Sequence, residues 1–235
     1  MGDRVVTVVE DVAGAAAERI AETVGAGGHI ALSGGSTPRA AHERVSRMDL
    51  DWARTSLWFG DERAVAPDHE HSNYAMAKAS LLDRIQGDHP EVHRIQGELG
   101  HERAADAYQA ELDEAFGGAE PPAIDLLLLG LGPDAHCASL FPGDGALGDR
   151  ERWVVGVQSP GMPPLVSRVT VTLPVLNAAR EVVFLISGAD KAEAVARAFG
   201  DAPGPDAPAS LVRPDPGRLT ILLDPPAAAR LGDLR

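Results

Sequence analysis

Short apolar runs alternate along this chain with longer stretches whose apolar positions recur at helical spacing. The first kind predicts strands at Val5–Val9, His29–Leu32, Ser56–Phe59, Ile124–Leu129, Trp153–Gln158, Arg168–Thr172, Val182–Ile186 and Leu219–Leu223. The second predicts helices over Asp11–Val24, Pro38–Val45, Asn73–Ile85, Glu102–Phe116 and Asp190–Phe199, the first capped by Asp11 and stopped by Gly25. The central strands are almost wholly apolar, as strands covered on both faces must be. This alternation predicts an α/β fold: three layers, Rossmann-like, a largely parallel sheet with helices on both faces. No repeat or linker divides the chain, so residues 1–235 are expected to form one domain. The DAPGPDAP stretch at Asp201–Pro208 is expected to be a surface loop.

Composition narrows the function. The formal net charge is −14, which argues against nucleic acid or an anionic membrane surface as partner, since both need a basic face to displace counterions. No stretch approaches the roughly 20 apolar residues of a membrane span, and no secretory leader stands at the start. With Cys137 as the only cysteine, neither an internal disulfide nor a multi-cysteine zinc site is available. A cytoplasmic protein is expected, as a monomer or at most a weak dimer. An anionic small molecule would need a local cluster of cations. Lysine occurs only at Lys78 and Lys191, so a lysine kept near a site is informative.

Four polar, glycine-containing segments each follow a predicted strand: Ser33–Thr37, Gly60–Arg63, Gly130–His136 and Ser187–Lys191. In a parallel sheet with right-handed crossovers they converge on the carboxyl edge, where open α/β sheets bind ligands. The first, Ser33, Gly34, Gly35, Ser36 and Thr37 before Pro38, offers hydroxyls and uncapped backbone N–H groups at a helix start, a seat for a phosphate. The second carries Asp61, Glu62 and Arg63, where a carboxylate and a guanidinium can both face the cleft. In the third, Asp134 and His136 stand two residues apart, a general base with a carboxylate to orient it. Cys137 reads as a small buried hydrophobe. His69 and His71 read as part of a polar loop, because no third spaced ligand accompanies them.

These segments, LSGGSTP, WFGDERAVAPDHEHSNY, LLLGLGPDAHCASLFPG, SRVTVTLPVLNAAREVVFLISGADKAEAV and PASLV, occur in an order that resembles the 6-phosphogluconolactonase family over nearly the whole chain. The resemblance implies hydrolysis of 6-phospho-D-glucono-1,5-lactone to 6-phosphogluconate in the oxidative pentose phosphate pathway, without metal or organic cofactor. It also implies a ligand role for Lys191. The fold is shared with glucosamine-6-phosphate deaminase, so fold alone does not choose the reaction. Deaminases typically carry a glutamate after the histidine loop; Ala138, Ser139, Leu140, Phe141 and Pro142 stand there instead, and DER replaces a deaminase-like DEY. A third reading, a silent sugar-phosphate sensor, is disfavoured by the intact Asp134 and His136, and by the short segment ahead of the first helix.

On this reading His136 activates water against the lactone carbonyl, and Arg63 or backbone N–H groups receive the oxyanion. The Ser33–Thr37 turn holds the phosphate, with Arg39, Arg168 and Lys191 as counter-charges. Arg168 is expected at the far end of its strand from the other groups. The family's usual aspartate–glycine–histidine loop has Ala135 in its middle here. Since positive φ would cost alanine about 1 kcal/mol, an ordinary backbone conformation is expected at that position.

Overall fold

In the computed structural model, residues 3–200, 204 and 206–232 are described. Of the Asp201–Pro208 stretch, positions 201–203 and 205 lie outside them. Seven strands form one all-parallel sheet: β1 (Asp3–Val8), β2 (His29–Leu32), β3 (Ser56–Phe59), β5 (Glu91–Val92), β6 (Leu126–Leu129), β9 (Glu181–Ile186) and β10 (Arg218–Leu223). Their order across the sheet is β1-β10-β9-β6-β2-β3-β5, with helices on both faces, the predicted three-layer class. The four leucines of β6 are all buried, which is why that strand reads as an unbroken apolar run.

From β2 the chain moves outward to β3 and β5, then returns to lay β6 on the other side of β2 and continues through β9 to β10. The direction of travel therefore reverses between β2 and β6. Loops leaving the carboxyl ends of two such strands diverge and open a crevice.

Two predicted strands sit elsewhere. β7 (Val154–Val157) and β8 (Arg168–Val171) join β4 (Asp61–Arg63) in a separate antiparallel sheet of order β4-β8-β7. β4 begins one residue after β3, so the Gly60–Arg63 segment runs into a strand, not into the helix predicted after it. The antiparallel register sets Arg168 directly opposite Arg63. The start of β8 thus lies beside the cleft-side end of β4, not remote from it as a parallel arrangement would require.

The helices are α1 (Val12–Ala26), α2 (Ser36–Val45), α3 (Asn73–Ser80), α4 (His101–Phe116), α5 (Leu173–Ala178), α6 (Ala192–Phe199) and α7 (Pro225–Ala228). Asp11 caps α1 by accepting from the Gly14 N–H, as its position predicts. The stop falls at Gly27, φ 73°, and not at Gly25, because it is the Gly27 N–H that turns back to the Val24 carbonyl. α3 ends at Ser80, short of Ile85, and the amphipathic pattern continues in a 3-10 turn over Leu82–Arg84. Likewise Ala189–Lys191 forms a 3-10 turn ahead of α6.

Candidate active site

A cavity of about 300 Å³ opens at the carboxyl edge, and all four predicted segments contribute to its wall. From the end of β2 come Ser33, Gly34, Gly35, Ser36 and Thr37; from β4, Asp61 and Arg63; from the loop after β6, Gly132 and His136; and after β9, Ser187 and Lys191. Asp134 does not line the cavity but holds His136 from behind. Arg39 is exposed on α2 and does not line it. Arg168, buried, donates to the Pro164 carbonyl at 2.9 Å and stands behind Arg63.

The β2 turn is shaped by Gly35, whose φ of 111° suits glycine alone, and no side chain caps the start of α2. Its first-turn N–H groups are therefore left facing the cavity end of the helix, where the dipole favours an anion.

His136 is held on one side only. Its Nδ1 lies 2.5 Å from Asp134 Oδ1, the same oxygen accepts from the His136 backbone N–H at 3.2 Å, and the ring packs 4.5 Å from Phe141. Burial raises the Asp134 carboxyl, but the hydrogen bonds and charge of His136 outweigh it and leave the group below the usual carboxylate value. An ionised Asp134 accepts the Nδ1 proton, which leaves Nε2 as the lone-pair nitrogen. The backbone around this pair departs from expectation: Ala135 has φ 65° and Ala138 φ 48°. The turn that brings Asp134 and His136 together closes through an Ala135 N–H to Gly132 carbonyl bond of 3.0 Å and imposes the left-handed conformation on whatever residue occupies it.

The three residues of β4 divide their work by strand alternation. Asp61 and Arg63 line the cavity. Glu62 is buried and accepts the backbone N–H groups of Asn73 at 2.7 Å and Tyr74 at 2.8 Å, the Ser72 hydroxyl at 3.0 Å and the Arg63 N–H at 2.7 Å. It thus ties β4 to the start of α3. Burial pushes its carboxyl above the usual value, and these four donors oppose that shift without cancelling it. Tyr108 of α4 fixes the strand leading here, its hydroxyl accepting from the Phe59 N–H at 2.8 Å.

Arg63 donates to the His71 carbonyl, while its Nε, like that of Arg168, is buried without a partner. No carboxylate forms an ion pair with either guanidinium among the described residues, and Arg63, the one of the two that lines the cavity, brings positive charge to its wall. Burial, then the charge of Asp61, pushes the Cys137 thiol up, as a structural cysteine requires. His69 accepts from the His71 N–H at 3.1 Å, and no group of three or more metal-ligating side chains occurs among the described residues.

Sequence comparison places this geometry. Residues 3–221 match the family described as glucosamine-6-phosphate isomerases/6-phosphogluconolactonase. The chain belongs to that family. Within the isomerase/lactonase family it is similar to the 6-phosphogluconolactonase of Nostoc sp., 41% identical over 86% of this chain and 84% of that one. It is also similar to the human 6-phosphogluconolactonase, 46% identical over 76% and 69%. The solved structure of 6-phosphogluconolactonase from Trypanosoma brucei superposes with TM-score 0.84 at 31% identity over 99% of both chains. A monomeric glucosamine-6-phosphate deaminase superposes with TM-score 0.79 at 21% identity over 97% of this chain and 99% of that one, a likeness of fold alone.

Three contributors were not singled out from the sequence as parts of the site. Asn73 reads only as the start of a helix, Ser139 only as part of the run that lacks the deaminase glutamate, and Met162 carries no reading; Asn73 and Met162 line the cavity, and Ser139 donates to Asp61 at 2.7 Å. Only proximity in the fold reveals them.

Proposed function

We propose that this chain hydrolyses the ring ester of 6-phospho-D-glucono-1,5-lactone to 6-phospho-D-gluconate, with His136 as general base. The observation that carries the proposal is the Asp134–His136 pair at 2.5 Å, on a ring that lines the cavity. Names of relatives 41% and 46% identical over most of the chain support the substrate.

In this scheme Nε2 takes a proton from water as its oxygen bonds to the C1 carbonyl. Arg63 lies in the same wall and offers a fixed positive charge to the oxyanion that forms. Collapse breaks the bond from C1 to the ring oxygen, which receives the proton from the imidazolium and leaves as a hydroxyl. The acid produced ionises to solvent. Asp134 stabilises the transient imidazolium without moving its own proton inventory. The uncapped start of α2, with Ser36 and Thr37, seats the phosphate, and Lys191 adds a compact charge across the cavity. Arg39, off the cavity wall, takes no part, and Arg168 acts behind Arg63.

Lactone opening also proceeds unaided, so the test is hydrolysis of freshly prepared lactone by wild type and His136→Ala, corrected for the spontaneous rate. A loss of about 10²–10⁴-fold is expected for removal of a general base. Equal corrected rates would remove His136 from the mechanism. Ammonia release from glucosamine 6-phosphate, measured alongside, is expected to be absent.

A further inference from the structure

We infer that Asn73 is a positioning residue of the hydrolytic site, one amide that sets both the Asp61 carboxylate and the backbone of the phosphate-seating turn. The inference rests on the site proposed above.

Asn73 is the first residue of α3, 2% exposed, and in the cavity wall. Its Nδ2 donates to the Asp61 carbonyl at 2.9 Å and to Asp61 Oδ1 at 3.1 Å. The other carboxylate oxygen, Oδ2, accepts from the Ser139 hydroxyl at 2.7 Å. Ser139 is itself fixed by its N–H to Thr170 Oγ1, 3.1 Å. Asp61 is therefore clamped from both sides by neutral donors, with its remaining lone pairs left for the cavity it lines.

The opposite face of the same amide meets the β2 turn. A Cβ built on Gly34 would lie 2.1 Å from Asn73 Oδ1 and 2.8 Å from its Cγ. Gly34 has no positive φ, so alanine is acceptable to its backbone, and the nearest obstacle to a side chain there is the Asn73 amide. A single side chain thus packs against the turn after β2 while it holds the acid on β4 by hydrogen bonds.

Two consequences distinguish positioning from a merely structural polar contact. First, a methyl at 34 displaces the amide that holds Asp61, so Gly34→Ala and Asn73→Ala break the same link. Each is expected to lower kcat/KM by about 10- to 100-fold, the value of one hydrogen bond to a charged group. The double variant is expected to be no worse than the poorer single one. Second, Asn73→Asp keeps the shape and suits a helix start, but sets a carboxylate against Asp61. One proton shared between the two restores the lost donor. The ratio of its activity to wild type is then expected to rise at least fivefold from about pH 8 to about pH 5.5, as the pair takes up that proton.

The other charged and titratable groups around Asp61 are Glu62 and Arg63 on its own strand, Arg168 opposite Arg63 on β8, Cys137 from the β6 loop, and His136 and Lys191 in the same cavity wall. They are present in variant and wild type alike, so the ratio moves only through what the carboxylate at position 73 adds. The experiment is steady-state lactone hydrolysis by the full chain and these variants across pH, with thermal melts to confirm folding. Multiplying defects in the double variant, or a flat Asn73→Asp ratio, would overturn the inference. Loss of activity in His136→Ala with both of those results would leave the hydrolytic reading standing and remove Asn73 from it.

Discussion

The imidazole of His136 rests where a side chain at position 132 would have to be. A Cβ on Gly132 would approach His136 Nδ1 to 2.0 Å, its Cε1 to 2.2 Å and Asp134 Oδ1 to 2.8 Å, so it would strike the Asp134–His136 pair itself. Gly132 has no positive φ, so its requirement is one of space. Gly132→Ala is therefore expected to fold and to push the imidazole aside by about an ångström, a displacement that costs on the order of 100-fold in kcat. KM should change far less, on the proposed seating of the phosphate at the start of α2. Steady-state kinetics beside a thermal melt checks this, and kcat within threefold of wild type would contradict it. Ala135 shows the converse: its φ of 65° strains a residue bearing a Cβ, yet the methyl is fully buried. A left-handed alanine costs about 1–2 kcal/mol, against which stand about 0.8 kcal/mol for the buried methyl and about 0.4–1 kcal/mol because alanine, unlike glycine, restricts the unfolded chain. The three nearly cancel, which is how alanine is tolerated where glycine is usual.

At the scale of elements, the short strand β4 and helix α3 are joined by Glu62, and that junction sets the bearing of Asp61, Arg63 and Asn73. Glu62→Gln leaves one acceptor oxygen and turns the other into a donor facing the Tyr74 N–H and the Ser72 hydroxyl. The Ser72 hydroxyl can turn to accept from the new amide, but the Tyr74 N–H cannot, and one donor left facing another is expected to cost about 1–3 kcal/mol in stability by denaturant titration. An unchanged midpoint would show that α3 does not depend on this cap. Neither the strand nor the junction is legible beforehand. Three successive charged residues carry no strand signal, and β8, the partner that makes them a strand, lies far along the chain. By contrast β2 and β3 are found with the predicted bounds, because the three fully buried positions that follow His29 and Ser56 are apolar throughout. His136, Asp134, Arg63 and the Ser33–Thr37 turn are legible because strand direction alone sends them to one edge. Asn73 and Met162 are not, since helix starts and loops tolerate such residues for many reasons.

For the whole molecule, the reversal of strand order between β2 and β6 opens the crevice, and the packing of α2 and α3 beside it carries a buried histidine that ties stability to pH. His42 is fully buried, and its Nδ1 lies 3.2 Å from Ser80 Oγ. That hydroxyl donates its own proton to the Met76 carbonyl at 2.7 Å, so it must accept from His42, and the neutral Nδ1–H tautomer follows. Nε2 then points into the core without a partner, where an added proton would find no acceptor. Burial accordingly pushes the imidazole down to about 4, against about 6.5 in an unfolded chain. Between those values the unfolded state binds the proton and the folded state does not, so falling pH favours unfolding. The stability this histidine confers is complete above about pH 6.5 and declines as pH falls toward about 4. Its share of the loss between about pH 7.5 and about pH 5 is about 2 kcal/mol. His42→Met fills a similar volume without a titrating group. Denaturant unfolding of wild type and variant at both pH values should show that the variant loses about 2 kcal/mol less stability on acidification. Equal losses in the two proteins would mean that the proton enters the folded core at no cost, and would contradict the buried neutral tautomer.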